Sequence, residues 1–486
     1  MEPAVFRRTK IVATVGPASA DRTMLLALME AGADVFRLNF SHGSHAELAD
    51  VVAAIRALSQ QRRRAVAILG DLQGPKIRTG RMAGGQMRLV AGEAVTITTT
   101  EVLGADGVIP TIYRELPGDV RPGDRILMDD GLLELTVEAV AGEEVRCRVV
   151  VGGMLKDRKG INLPGVAVSA PALTDKDLDD LRFCMAQNLD FVALSFVRSA
   201  GDVVRLKELL HEARSELKVV AKIEKPEAVD RFEEILAVSD GIMVARGDLG
   251  VEINPERVPL IQKRIIRLCN AAGKPVITAT QMLESMIGSP RPTRAETSDV
   301  ANAILDGTDA VMLSAETASG RYPREAVSMM VRIAGDVEAD PLLKEQVYHP
   351  LPSERGYASL PEAIGQAACR VAEAVGAAAI LAFTQTGSTA ALVAKYRPPM
   401  PVYAVTPSQL VRRRMALYAG VRSLRVDIEG DTEAQIRSVE SAVLNAGVLK
   451  KGDVVVITMG SPVSDPGTTN LLKIHRLGIG PYFEVH

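Results

Sequence analysis

The stretch Val219-Val220-Ala221-Lys222-Ile223-Glu224, read beside Ile242-Met243-Val244-Ala245-Arg246-Gly247-Asp248, decides the fold. Each is a short apolar run that ends in a carboxylate. Unbroken apolar runs of this length mark strands buried on both faces, as in a parallel sheet. A lysine and two carboxylates at the carboxyl ends of such strands are costly to bury unless they face a cleft, a metal or one another. In a barrel of parallel strands, catalytic groups collect at that end. The two runs predict a divalent cation beside a cationic lysine, at the mouth of an α/β barrel.

Working outward, strand-like runs recur at 9–15, 34–40, 65–71, 190–196, 218–223, 240–245, 275–280 and 309–314. The segments between them carry helical periodicity and end signals. One helix is expected over 20–32, closed by Gly32, another over 44–59, and a third over 258–272 before Gly273. Eight strand–helix alternations spell a (β/α)8 barrel. The series is broken once. After Gly74-Pro75, apolar and polar residues alternate (Ala94-Val95-Thr96-Ile97-Thr98, Leu133-Glu134-Leu135-Thr136-Val137), with turn pairs at Pro117-Gly118 and Pro122-Gly123. That pattern reads as a small all-β domain inserted in a barrel loop, closing near Asn162-Leu163-Pro164-Gly165 and placed to act as a lid. A linker is expected over 341–356. Beyond it an open-sheet α/β region follows, with helices over 360–375 and 387–396 and strands over 378–383, 401–405, 424–428 and 454–458. The predicted domains are a barrel of 1–72 and 166–345, an inserted β-barrel lid of 73–165, and a C-terminal α/β regulatory domain of 356–486.

Composition narrows the function. At 486 residues the chain holds two to four domains on a prior of ~100–200 residues each. Hydrophobic content of 47% with 24% charged residues fits a globular protein, not a disordered one. A net charge of −3 gives no global pull toward nucleic acid or anionic membrane. The absence of tryptophan argues against stacking platforms for single-stranded nucleic acid. The basic runs Arg62-Arg63-Arg64 and Arg412-Arg413-Arg414 read as solvated or interface faces. Cys147, Cys184, Cys269 and Cys369 form no Cys-x-x-Cys pair, which points to reduced, buried thiols in a cytoplasmic protein. Neither a signal core nor a membrane-length apolar run of ~18 residues is found.

The carboxyl end of each strand supplies the chemistry. Strand two runs into Arg37, Asn39, Ser41 and His42; alternation puts Arg37, Asn39 and Ser41 on one side, which suits a phosphate and a cation. Strand three ends at Asp71. Strand five gives Lys222 and Glu224 on one face, and strand six gives Asp248. Two carboxylates from neighbouring strands match the way Mg2+ is held, by few protein oxygens completed with water and substrate phosphate. A buried salt bridge to Lys222 accounts for one of these acids, not both. Strands seven and eight end in Thr280 and Ser314, hydroxyls that could equally cap the following helices. His42 and His45 read as surface polar groups. No serine or cysteine pairs with a histidine as a nucleophile, and there is no Walker loop.

Taken together, Lys10-Ile11-Val12-Ala13-Thr14-Val15-Gly16-Pro17, Arg37-Leu38-Asn39-Phe40-Ser41-His42-Gly43, Asp71-Leu72-Gln73-Gly74-Pro75-Lys76-Ile77-Arg78, Lys159-Gly160-Ile161-Asn162-Leu163-Pro164-Gly165, Ala221-Lys222-Ile223-Glu224, Ala245-Arg246-Gly247-Asp248-Leu249-Gly250, Ala279-Thr280-Gln281-Met282 and Met312-Leu313-Ser314-Ala315-Glu316-Thr317 resemble the pyruvate kinase family, in family order and across essentially the whole chain. The resemblance implies transfer of a phosphoryl group from phosphoenolpyruvate to ADP, giving pyruvate and ATP, the last step of glycolysis. It implies Glu224 and Asp248 as ligands of Mg2+ or Mn2+, and Lys222 and Arg37 on the transferring phosphoryl. It places Thr280 and the amides around Gly247 on the substrate carboxylate. Arg78, Lys159 and the turn Asn39-Phe40-Ser41-His42 would contact nucleotide phosphates. Proton delivery would fall to Thr280, Ser314 or a water. Asn39, Ser41, Asp71 and the Leu72 carbonyl correspond to a monovalent-cation site. Many members have glutamate where this chain has Lys76, and that ammonium is expected to replace K+. Thr384, Thr386, Gly387, Ser388 and Thr389, opening a helix after a strand, resemble the cradle for a sugar-phosphate or nucleotide effector, against the alternative of ordinary helix capping. The loop 461–470 would cover such a ligand. A homotetramer is expected on the same ground. Two readings compete with this one: a non-catalytic sensor on the same fold, and another Mg-dependent barrel enzyme of pyruvate-enolate chemistry.

Overall fold

The computed structural model describes residues 6–340, 359–427, 430–460 and 469–479. The expected linker and most of the 461–470 loop lie outside these residues. Eight parallel strands close into a barrel in sequence order: β1 (Lys10–Val15), β2 (Val35–Asn39), β3 (Ala67–Asp71), β4 (Phe191–Leu194), β5 (Lys218–Ile223), β6 (Gly241–Ala245), β7 (Val276–Ala279) and β8 (Ala310–Leu313). All eight expected strands are present, each within two residues of its predicted ends. The register sets Lys222 of β5 beside Met243 of β6 and Asn39 of β2 beside Asp71 of β3, so polar strand ends meet at one rim.

The barrel interior is packed, not hollow. Val12, Leu69, Phe191, Val220, Met243, Ile277 and Met312 fill it. Ala416 and Leu417 of the C-terminal region join this cluster and close its floor. The flanking helices start where side chains satisfy the orphan amides of the first turn. Ser44 caps His45–Gln61 in a reciprocal box with Glu47, and Thr293 does the same with Glu296 for Arg294–Leu305. Val258–Ala272 ends at Gly273, whose φ of 67° is left-handed and suits a residue without a Cβ.

The insert is built of β-strands, as its alternation requires, apart from single helical turns at Ala83–Gly85 and Leu116–Asp119. Its strands form a six-stranded sheet and a separate two-stranded pair, Gln86–Leu89 with Gly153–Lys156, over one core. Hydrogen bonding does not close these strands into the expected barrel. Packing of the insert also continues beyond 165, since Val166 and Ala170 belong to its core.

In the C-terminal region, β9 (Ala379–Phe383), β10 (Val402–Thr406), β11 (Val421–Arg425), β12 (Val454–Gly460) and β13 (Thr469–Arg476) form one sheet in the order β11-β10-β9-β12-β13. β13 is an antiparallel edge strand that the sequence reading omits. The strand expected over 424–428 lies earlier, because pairing with β10 begins at Val421 opposite Val402 and Val421 packs into the core; residue 428 lies outside the described residues. This domain is bolted to the barrel floor. Arg397 reaches both oxygens of Asp309 at 2.8 and 2.9 Å, and Arg413 donates to Asp190 at 2.7 Å. Of the two basic runs, 412–414 is thus an interdomain face.

Candidate active site

The rim of the barrel carries a cluster of opposed charges. Lys222 Nζ lies 2.9 Å from Glu224 Oε1 and 3.3 Å from Asp71 Oδ1, and donates to Ser195 Oγ at 2.7 Å. Arg37 Nε donates to Asp71 Oδ2 at 2.6 Å, and Arg37 Nη1 reaches Thr14 Oγ1 at 3.1 Å. The backbone N–H of Phe196 donates to Glu224 Oε2 at 2.7 Å. Asp71, Lys222 and Glu224 are all buried.

Burial sets up competition between solvation and charge. Burial alone would lift the Asp71 carboxyl, but Lys222 and Arg37 outweigh it and hold it below the usual carboxylate range. Burial would strip the proton from Lys222, but Asp71 and Glu224 more than reverse that, so its ammonium is held firmly charged. Glu224 moves the other way. Burial, joined by the nearby charge of Asp248, raises it despite the opposing pull of Lys222. A carboxyl raised by a second carboxylate is one that gains from a shared cation.

Asp248 lies on a short helix, Arg246–Glu252, that begins at once after β6. Asp248 is half-buried and lines a cleft between barrel and insert, together with Lys76, Asn162, Phe196, Arg198 and Lys225. Among the described residues, no cluster of three or more His, Cys, Asp or Glu side chains is arranged to hold a metal. Glu224 and Asp248 offer a two-carboxylate set of hard oxygen donors, which fits Mg2+ or Mn2+ completed by substrate and water.

Thr280 follows β7 with φ of 67°, and Gln281 with φ of 53°. Two successive left-handed residues with side chains are strained. Arg246 holds them: its guanidinium donates to the carbonyl of Thr280 at 2.8 Å and is anchored by Asp299 at 2.7 Å. The result places Thr280 Oγ1 as acceptor of the Gly247 N–H at 2.7 Å. Ser314 donates its N–H to Glu316 Oε2 at 2.7 Å, and Glu316 Oε1 accepts from Leu283 N–H, so one buried acid ties the loops after β7 and β8. Ser314 Oγ is buried without a hydrogen-bond partner among the described residues.

The expected nucleotide residues fall in two groups. Asn39, Phe40, Ser41 and His42 form the turn after β2, stapled by Asn39 Oδ1 accepting from Ser41 N–H at 3.1 Å. The Phe40 ring is buried edge-on to Phe183, so only its backbone is on offer, and its carbonyl accepts from Lys176. His45 is not a plain surface group; it stacks on Phe183 and pairs with Asp180 at 2.7 Å. Arg78 and Lys159 belong to the insert, where Arg78 is bridged to Gly160 and Lys159 Nζ pairs with Asp129 at 2.7 Å. The monovalent-cation candidates are largely engaged: Asp71 by Arg37 and Lys222, and the Leu72 carbonyl by Ser195 Oγ at 2.7 Å.

In the C-terminal domain, Gly387 N–H donates to Thr384 Oγ1 at 2.8 Å, Ser388 N–H to Thr386 Oγ1, and Thr389 Oγ1 pairs with Thr469. Two of this loop's four hydroxyls, those of Thr384 and Thr386, accept from its own backbone, and the helix Ser388–Ala394 begins at Gly387 without a side-chain cap. All four cysteines are free and buried, and burial raises each thiol, those of Cys147 and Cys369 to about 12. No thiolate nucleophile is present near neutral pH among them.

Sequence reasoning misses Ser195, Phe196, Arg246 and Glu316. A serine or arginine at a strand end is common enough to carry no signal. Glu316 stands within a quoted motif, but its role is to hold two loops, which shows only in three dimensions.

A family model described as pyruvate kinase, barrel domain, matches residues 6–327, and one described as pyruvate kinase, alpha/beta domain, matches residues 362–475. A curated pyruvate kinase of Staphylococcus epidermidis is 47% identical over 478 residues, covering 97% of this chain and 81% of the relative. One from Staphylococcus aureus (strain MRSA252) matches to the same extent. The crystal structure of a pyruvate kinase from Cryptosporidium parvum superposes with a TM-score of 0.90 at 39% identity, covering 97% of this chain and 96% of that one.

Proposed function

The chain belongs to the pyruvate kinase family and is an enzyme, a phosphotransferase; from that premise we propose that it carries the phosphoryl group of phosphoenolpyruvate to ADP at the rim of the barrel. The observation that carries this reading is the Lys222 ammonium, buried and charged between Glu224 and Asp71. Phosphoryl transfer asks for positioning and charge neutralisation more than for covalent help. Lys222 and Arg37 supply fixed positive charge where the phosphoryl oxygens would lie, in a site from which water is largely withdrawn. The same ammonium stabilises the enolate left when the phosphoryl departs.

Glu224 and Asp248 would hold Mg2+ or Mn2+. When bound, the cation neutralises phosphoryl charge and orients its oxygens. The rim without it has two cations, Arg37 and Lys222, facing three carboxylates, Asp71, Glu224 and Asp248. A dication reverses the sign of that balance and makes the rim receptive to an anionic substrate. Thr280 and the Gly247 N–H, already within 2.7 Å of each other, would turn the substrate carboxylate toward Lys222. Thr280 Oγ1, which donates to the Ala279 carbonyl at 2.6 Å, and Ser314 Oγ, which has no partner among the described residues, are hydroxyls of the chain suited to returning a proton to the enolate carbon. Arg78 and Lys159 bring the insert's charge to the nucleotide phosphates, and closure of the insert keeps water from the phosphoryl group.

Turnover without added K+ belongs to the same proposal. It is supported by Lys76 lining the cleft beside Asp248 and by the engagement of Asp71 and Leu72 with protein donors. A phosphorylated effector at 384–389 is supported by a cavity that Thr386, Gly387 and Ser388 share with Lys207, Lys218 and Lys274 of the barrel. Assembly as a homotetramer is part of the proposal and is read by sedimentation. The decisive experiment follows both products from phosphoenolpyruvate. ATP and pyruvate in equal amounts, only with ADP present, are expected; pyruvate without ADP, or no pyruvate, overturns the proposal.

A further inference from the structure

Glu252 lies four residues after Asp248, on the same face of the short helix Arg246–Glu252. It is buried, and nothing assigned above explains why an acid should be there. Its Oε1 accepts from Lys225 Nζ at 2.5 Å and from Asn162 Nδ2 at 2.8 Å, and its Oε2 is buried with no partner among the described residues. Lys225 immediately follows Glu224. Asn162 belongs to the insert, at its return to the barrel.

These contacts join three separate pieces of the site. The loop after β5 carries Glu224, the helix after β6 carries Asp248, and the Lys225–Glu252 pair spans the gap between them. Both side chains of the pair are withdrawn from water, so the link is stiff rather than a screened surface contact. Asn162 fixes the insert to the same carboxylate oxygen. A cation held by only two carboxylates depends on their separation, because Mg2+ tolerates little departure from octahedral geometry.

We propose that Glu252 is a positioning residue for the divalent cation: with Lys225 it braces the two loops that carry Glu224 and Asp248, and through Asn162 it links that brace to the seating of the insert. The proposal rests on the reading of Glu224 and Asp248 as the cation's ligands. Glu252 touches neither substrate nor metal in this account; it acts by holding others in place.

Mn2+ binding to the full-length protein, read by the loss of the free-ion electron paramagnetic resonance signal, tests this without reference to turnover. Glu252→Gln and Lys225→Met are each expected to weaken Mn2+ by about tenfold or more, the usual effect of removing a group that orients a ligand. Lys225→Arg, which keeps the ion pair, is expected to stay close to the parent. Each single neutralisation strands a buried charge, so both will also lower the melting temperature. The double variant Lys225→Met/Glu252→Gln removes both charges and is expected to regain thermal stability while still binding Mn2+ weakly. Parent-like affinity in both single variants, or affinity that returns with stability in the double variant, overturns the proposal. Glu224→Gln is the control for the underlying reading. Should it bind Mn2+ as the parent does, the ligand assignment fails and the brace with it; should it lose binding while the Glu252 variants keep it, only the brace fails.

Discussion

Lys222→Met exposes the central device of the site. The substitution keeps an unbranched side chain, one atom shorter, and removes its charge. Its Nζ stands 2.9 Å from Glu224 and 3.3 Å from Asp71, both buried, so the change strands two carboxylates where the parent has a compensated cluster. Breaking a buried pair in this way costs about 3–5 kcal/mol of folding stability. Arg37 still neutralises Asp71, which places the loss toward the lower end. Glu224 suffers most, because Lys222 is the charge that restrains its upward shift. With Lys222 gone, its carboxyl rises further. A carboxyl raised in the folded state binds its proton more tightly there than in the unfolded chain, so stability falls as pH rises from the ordinary carboxylate range through the raised value. The metal-free variant should therefore recover part of its lost stability on acidification toward pH 5, read by urea unfolding with chelator present. The effect on turnover is larger. A single fixed cation on a transferring phosphoryl group is worth about 10³–10⁵ in kcat, or about 4–7 kcal/mol of barrier. A lactate-dehydrogenase-coupled assay measures it. The variant should bind Mn2+ and phosphoenolpyruvate and turn over at that reduced rate; a kcat within tenfold of the parent refutes the role given to the ammonium.

Other expectations are as direct. Arg37→Lys keeps a charge but cannot hold Asp71 and Thr14 at once, so kcat/KM for phosphoenolpyruvate should fall well beyond tenfold; an unchanged value would show that the fork geometry is idle. Lys76→Glu should make turnover depend on added K+, whereas a variant as indifferent to K+ as the parent would reject the internal-cation reading. Gly70→Ala would set a Cβ 2.6 Å from Cys184 Sγ and 2.9 Å from the Phe40 ring, and should cost about 1–3 kcal/mol in chemical denaturation. Burial alone would raise the Asp34 carboxyl, yet Arg7, Lys10 and Arg64 bring it from 3.8 to about 2. That lowered value stabilises the fold by about 2 kcal/mol above pH ~4, a contribution lost as pH falls toward 2. The stability gap between the parent and Asp34→Asn should close over that window; a gap independent of pH would show that the charge is not what holds Asp34.

The barrel was legible because its signal is local and repeated. Runs such as Val219–Ile223 and Gly241–Ala245 are mostly apolar and are followed at once by charge, at Glu224 and Arg246, and helices lie between them. The insert's β character was legible from alternation. Its division into a six-stranded sheet and a separate two-stranded pair was not, since pairing of Gln86–Leu89 with Gly153–Lys156 depends on contacts far apart in sequence. The edge strand Thr469–Arg476 escaped because it is half exposed and carries Lys473, His475 and Arg476, which suit an edge and blur the apolar pattern. At the site, charged residues at strand ends were visible one by one. Ser195, Arg246, Glu252 and Glu316 were not, because each is defined by what it touches on a neighbouring loop. Asp248 was found in sequence, but its place on a helix that starts directly after β6 came from the structure.

The central claim is that one phosphoryl group lies under both the Lys222 ammonium and a cation held by Glu224 and Asp248. Phosphorus nuclear magnetic resonance of phosphoenolpyruvate on the Mn2+-loaded protein tests it most directly. The expected result is strong paramagnetic broadening of the phosphorus signal, kept in Lys222→Met and lost in Glu224→Gln. A signal left sharp by bound Mn2+, or broadened equally in Glu224→Gln, would contradict it.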